Sequence, residues 1–222
     1  MSTHLQKAAG MGRAGRRTRK TAEARREEIL AAAMRLFARQ GYARTTTKAI
    51  AREAGISEGT IYKHFASKQE ILFAFSVPAI ITPLHELLER MAEQDDLTVL
   101  RAIIHNRFAL WDAWRDVLRA VMSEAFFNAE LAAAFYQHVA RAGLSLLEAF
   151  ITRGIAEGRF RPVRAAVVSR SLLGMLIAHF LLWDGVLGGQ HAGIARDELV
   201  DELALLLYHA LRRHPELPEA TP

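Results

Sequence analysis

The chain has 222 residues and a calculated isoelectric point near 9.9, and its lack of cysteine excludes disulfides, thiolate metal sites and a cysteine nucleophile, as suits a reducing cytosol. Residues 1–68 hold fifteen Lys/Arg against five Asp/Glu, a net of +10, whereas the remainder holds fourteen against nineteen, a net of −5. A basic first third joined to an acidic remainder predicts two jobs, the first with a phosphate backbone as partner.

In chain order, residues 1–20 are polar, basic and Gly-containing, with no apolar core of a secretory signal. They are expected to form a disordered basic arm. Its segment "GRAGRRTRK" either reaches along a minor groove or is a solubilising tail, with Met11 an alternative start. Ile29, Ala33, Leu36 and Phe37 then share one helical face, opened by Thr21 as N-cap and closed by Gly41. A short helix fits Thr47–Ala54 with Ile50, Ala51 and Ala54 inward, and Ser57 caps a third that packs Ile61 and Phe65. Ser67-Lys68-Gln69-Glu70 is a capping box opening a fourth helix, which Pro78 and Pro83 should bend or interrupt. Helical patterns follow at about 97–121, 129–157, 163–187 and 196–213, with breaks at Glu93–Asp96, Gly158–Pro162 and Gly188–Gly193, and 215–222 reads as a tail. No stretch alternates with period two, so the expected fold is all-α. The longest apolar run, Ser171–Trp183, is short of the ~20 residues of a membrane span and reads as a buried helix, with no membrane partner.

The stretch "AGISEGTIYKHF" (54–65) has two incompatible readings. Gly55-Ile56-Ser57-Glu58-Gly59 matches the G-x-S-x-G turn of a serine hydrolase, which needs a β-strand before the serine. A helical run, "KAIAREAG", precedes it instead, so the residues read as the turn and second helix of a DNA-reading pair. Gly55 then stands where the turn needs positive φ. Apolar Ile61 and Phe65 dock the recognition helix, leaving Ser57, Gly59, Thr60, Tyr62, Lys63 and His64 to offer hydrogen-bonding groups.

The stretch from Ile29 to Phe75 carries Gly41-Tyr42, Thr45-Thr46, Ile50-Ala51, Ala54-Gly55-Ile56-Ser57, Gly59-Thr60-Ile61-Tyr62, His64-Phe65 and Lys68, and it resembles the TetR family of bacterial transcription regulators. The resemblance implies that Thr60 and Lys63 face base edges. It implies phosphate contacts for Tyr62, His64 and Lys68 and for Thr45, Thr46 and Thr47, with Lys48 in the same DNA-facing set. The implied organisation is a helix-turn-helix DNA-binding domain at 21–68 and a helical ligand-binding and dimerisation domain at 69–214.

Within 69–214, Ile104, Phe108, Trp111, Leu118 and Met122 form one stripe that includes Arg115, and Leu172, Leu176, His179 and Trp183 form another. Phe126 and Phe127 lie between them in sequence. Phe108, Trp111, Arg115, Met122, Phe126, Leu176, His179 and Trp183 are the candidate pocket residues for a small apolar or amphipathic effector. Such stripes also serve as plain core, Arg115 has Asp112 as an alternative partner, and Asp184 would favour a cation. His85-Glu86-Leu87-Leu88-Glu89 lacks the second histidine of a zincin, and no catalytic or cofactor fingerprint appears, so no metal, cofactor or enzymatic activity is expected. Leu199, Leu203, Leu206 and Ala210 form a further stripe, and the resemblance implies a homodimer that binds a palindromic operator. The expectation is a cytoplasmic, ligand-responsive repressor of double-stranded DNA. A ligand-independent DNA-binding protein of nucleoid organisation is the alternative.

Overall fold

The computed structural model describes residues 21–186 and 193–213, without the side chains of 183–186. The basic arm, most of the break expected at Gly188–Gly193 and the tail lie outside them. The named elements are all helical, and the one extended feature among the described residues is an antiparallel bridge between Phe160 and Arg212.

Helix α1 spans Ala22–Gln40, with the Thr21 hydroxyl accepting from the Ala24 N–H and Gly41 closing it at φ 82°. Helix α2 (Thr47–Glu53) is capped by Thr46, and α3 (Glu58–Ile61) by Ser57, whose oxygen accepts from the Thr60 N–H. The third helix is thus shorter than its apolar spacing predicts: Tyr62–His64 continue as turns that still carry Phe65 into the core. Helix α4 (Lys68–Ser76) opens on Ser67, which accepts from Glu70 N–H, while the Glu70 carboxylate accepts from Ala66 N–H at 2.6 Å. The capping box is therefore closed one residue further back than expected.

Pro78 and Pro83 do interrupt the next stretch. A π-helical segment, Val77–Ile81, joins α4 to α5 (Thr82–Arg90), and each proline sits in the first turn of its segment, where a missing N–H is tolerated. Helix α6 (Asp96–Ala125) is capped by Asp95 and kinks at Trp114, which has φ −128° and ψ 19°. The pattern at 129–157 resolves into α7 (Ala129–Phe135), a π-helical segment (Tyr136–Ala140) and α8 (Arg141–Ala156). The pattern at 163–187 resolves into α9 (Ala165–Ala178) followed by a π-helical segment, His179–Val186, and α10 (Arg196–Leu211) ends the described chain.

Two cores result. Ile29, Phe37, Ile50, Ile61 and Phe65 anchor a head core, which runs on through Ile71 and Leu72 of α4 to Val117 and Val121 of α6. The body core takes Leu84, Ile103, Ile104, Phe108 and Trp111 together with Leu172, Leu176 and Leu203. The kink at Trp114 falls between the buried α6 residues of the body core and those of the head core, Val117 and Val121, while Leu118 and Met122 beyond it still pack against the body core.

The reading of Ser171–Trp183 as a buried helix needs correction. Its buried positions are Leu172, Leu176 and Phe180, one face only. With its π-helical continuation the stretch Ala165–Leu182 is long and apolar enough by composition to cross a membrane, as is Lys68–Arg90, yet only 17% of the first is buried within its own chain. Val167 and Leu182 are more than half exposed.

Candidate nucleic-acid interface and ligand cavity

The head presents its polar residues on a frame locked from behind. Gly55 adopts φ 66° in the turn between α2 and α3, a left-handed conformation that glycine adopts without steric cost. Arg26 donates to the His64 carbonyl at 3.2 Å and lies 4.2 Å over the Phe65 ring, fixing the end of the recognition segment. Arg35 and Arg39 hold Glu53 at 3.0 and 3.3 Å and tie α1 to α2. Thr47 donates to Glu58 at 2.6 Å, and its oxygen lies 3.2 Å from the Tyr62 hydroxyl, joining the start of α2 to α3.

On this frame Lys48, Ser57, Gly59, Tyr62 and Lys63 are exposed, Thr46 is exposed at the α2 N-cap, and Thr47, Thr60 and His64 are half-buried. Two residues expected to touch phosphate are turned to other work. Thr45 is 1% exposed, and its hydroxyl donates to the Gly41 carbonyl at 2.7 Å, because the loop needs that carbonyl satisfied. Lys68 donates to the Tyr42 carbonyl at 2.7 Å and sits 4.0 Å over the Tyr42 ring; desolvation lowers its pKa. The Ser57 oxygen lies 2.8 Å from the Thr60 hydroxyl and accepts from its N–H, with no strand beneath it, so it is a helix cap and not an elbow nucleophile.

The body encloses a cavity of about 400 Å³, within the ~300–1,000 Å³ usual for small-molecule sites. Its wall is apolar, with Leu84, Leu118, Val121, Met122 and Leu176 among the contributors. Each irregularity of the body helices borders it. Ile80 and Ile81, Tyr136 and Val139, and Phe180 come from the three π-helical segments, and the α6 kink lies between the lining residues Trp111 and Leu118. Such departures from regular helix are frequent at functional sites.

Of the expected pocket residues, Trp111, Met122, Phe126 and Leu176 line the cavity, and Phe126, 72% exposed, stands at its mouth. Phe108 lies behind the wall, its ring edge-on to Phe180 at 5.1 Å. His179 is not a lining residue: the buried face runs Leu172, Leu176, Phe180 in steps of four, and Phe180 takes the place, stacked on Trp111 at 4.8 Å. Arg115 is corrected too. The kink at Trp114 turns Arg115 out of its stripe, whose later members Leu118 and Met122 still line the cavity, and Arg115 faces a groove between α1, α4 and α6 and pairs with Asp112 at 3.0 Å. The Trp183 side chain lies outside the described residues.

The charged lining residue is Arg107, which the sequence reading passed over. It sits four residues after Ile103 and three before Leu110, on a stripe adjacent to the chosen one. Its Nη1 donates to the Ile80 carbonyl at 2.8 Å, and Nε and Nη2 donate to Asn106 Oδ1. Burial pulls the guanidinium pKa down to about 10, so it stays charged at neutral pH.

Residues 29–75 match the family described as bacterial regulatory proteins, tetR family, and residues 98–205 match the AefR-like transcriptional repressor C-terminal domain. A nucleoid occlusion factor SlmA of Vibrio campbellii is 31% identical over 158 residues, which are 68% of this chain and 80% of that protein. The chain belongs to the TetR family. The HTH-type transcriptional regulator TtgR of Pseudomonas putida is 30% identical over 183 residues, 75% of this chain and 85% of its own length. Among solved structures, NalD of Pseudomonas aeruginosa, the secondary repressor of the MexAB-OprM multidrug efflux pump, superposes with a TM-score of 0.65 at 25% identity, covering 87% of this chain and 99% of that one. The protein is thus a TetR-family, helix-turn-helix, DNA-binding transcription regulator.

Proposed function

We propose that the protein is a cytoplasmic repressor that binds a twofold-symmetric operator as a homodimer and releases it when a small apolar or amphipathic effector enters the cavity. The observation that carries this reading is the position of the cavity across the α6 kink. An occupant touches Trp111 in the body core and Val121 in the head core at once. An effector that binds the two arrangements of α6 unequally shifts the separation of the paired heads, and it does so only by that difference in affinity.

In this reading Thr60 and Lys63 face base edges. Thr46, Thr47, Tyr62 and His64 contact phosphates, with Lys48, Ser57 and Gly59 in the same surface, and Thr45 and Lys68 hold the loop behind it. The homodimer forms through α9 and α10, because an apolar helix so little buried in its own chain needs cover, and Val167, Leu182 and Leu206 stand exposed there. A thermal-shift screen of amphipathic compounds, followed by titrations of hit against operator and operator against hit, tests the switch. The two affinities are expected to fall by the same factor, about 5–150-fold. Hits that stabilise the protein yet leave operator affinity unchanged would sink the effector reading and leave DNA binding standing.

The SlmA relatives favour a second reading, in which the protein acts in nucleoid organisation without an effector. Chromosome-wide mapping separates the two. A few promoter sites support the repressor, and many dispersed sites support the alternative.

A further inference from the structure

An effector cavity with an apolar wall admits many ligands, but its polar groups select among them. Arg107 has no carboxylate partner among the described residues; its acceptors are the neutral Ile80 carbonyl and the Asn106 amide. A buried charge without a counter-charge is costly, and a bound anion removes that cost. A guanidinium has five N–H groups. Nε, one N–H of Nη2 and one N–H of Nη1 are taken, which leaves one N–H on each terminal nitrogen. Those remaining N–H groups can donate to the oxygens of a carboxylate or sulfonate. Trp111, fully buried and part of the same wall, has an indole N–H with no hydrogen-bond partner. That N–H is closed off from the cavity, so the donors open to a ligand are those of Arg107, and no acidic residue lines the wall to hold a cation.

We propose that the effector is an organic acid, an apolar body with one anionic head, and that Arg107 binds the head inside the cavity. The inference rests on the cavity being the effector site. Asn106 and Ile80 fix the plane of the guanidinium before the ligand arrives, so little ordering remains to be done on binding. The apolar wall takes the body of the ligand.

The test uses anilinonaphthalene sulfonate and its uncharged parent, phenylnaphthylamine, two fluorescent probes that differ only in the anionic group. Both are titrated into the wild-type dimer, Arg107→Gln, Arg107→Met and Arg107→Lys, with helicity and sedimentation checked for each. The wild type is expected to prefer the sulfonate by roughly ten- to hundredfold, the range of a charge-assisted hydrogen-bonded pair. Arg107→Gln and Arg107→Met should lose that preference while keeping the affinity for the parent, and Arg107→Lys should keep part of it. Decanoate should displace the parent from the wild type better than decanol does, and no better from Arg107→Gln. A sulfonate preference that survives in folded Arg107→Gln assigns the anion to the basic head and overturns the proposal. Equal binding of both probes to the wild type overturns it too, while the cavity remains a ligand site. If the uncharged parent does not bind at all, the effector reading itself fails.

Discussion

Single side chains in the head divide into those that build the frame and those left over for DNA. Ser57 belongs to both groups, since it caps α3 through the Thr60 N–H and is exposed. Ser57→Asp is expected to melt within a few degrees of the wild type, because aspartate caps about as well as serine. A serine-directed fluorophosphonate should leave Ser57 unlabelled, and stoichiometric labelling there would overturn the regulator reading. Tyr62 is 54% exposed, and Lys63 is exposed with no ion pair among the described residues. Lys63→Ala should cost about 1–3 kcal/mol of operator affinity if it reads a base, and Tyr62→Ala less and more uniformly across sequences. Wild-type gel shifts for both variants would remove this segment from the interface. In the body, pH isolates Arg107. Its folded-state pKa is depressed to about 10 by burial, so the anion-binding charge is complete at neutral pH. Any anion preference should be flat across the neutral range and fade as pH rises toward about 10, and a preference lost near neutrality would point to a histidine instead.

Between α8 and the bridge at Phe160, packing rather than helix propensity sets the residue. Both Arg159 and Phe160 N–H groups donate to the Gly154 carbonyl, and a Cβ on Gly154 would stand 2.3 Å from the Phe160 ring. Phe160 is 2% exposed and edge-on to Phe150 at 5.7 Å, so the ring cannot swing away. Gly154→Ala gains about 1 kcal/mol of helix propensity and loses about 1–3 kcal/mol to overpacking, so its melting temperature should fall. Gly143→Ala is the control: its Cβ would meet Ile81 at an ordinary 3.5 Å, so the propensity gain should show as a higher melting temperature. At this scale the sequence was readable where a local rule decides. Thr21, Ser57 and Ser67 cap where expected, Gly55 turns where expected, and Ile61 and Phe65 are buried. It misled where regular helix was extrapolated through an irregularity. The kink at Trp114 turns Arg115 aside, Phe180 rather than His179 continues the face of Leu172 and Leu176, and Arg107 lies before the kink on the stripe next to the expected one. A 3.6-residue period carries no signal for a kink inside a helix. Thr45 failed for another reason: only the folded loop shows which carbonyl needs its hydroxyl.

For the molecule as a whole, the proposed function rests on two junctions, one between copies and one inside the chain. Val167→Glu places a charge on the exposed face of α9 and touches neither core. Sedimentation should show monomers of unchanged helicity with much weaker operator binding, and an intact dimer would move the interface elsewhere. The junction inside the chain is the α6 kink. Trp111 sits in the body core against Phe180, while Trp114, three residues on, packs edge-on against Phe75 of α4 at 4.5 Å on the head side. In the proposed switch, a displaced cavity wall reaches the head through the Trp114–Phe75 contact. Phe75→Leu keeps an apolar side chain near the head core but loses the aromatic edge, worth about 0.5–1.5 kcal/mol. Neither the cavity wall nor the exposed face of α3 includes Phe75, so effector and operator should each bind this variant alone nearly as they bind the wild type. What should shrink is the factor by which each weakens the other, and linkage requires it to shrink equally in both directions. Tryptophan fluorescence gives the effector affinity with and without operator, and gel shifts give the converse. Unchanged coupling in Phe75→Leu would mean that the signal leaves the body by another route, through Val117 and Val121 of α6 to α1.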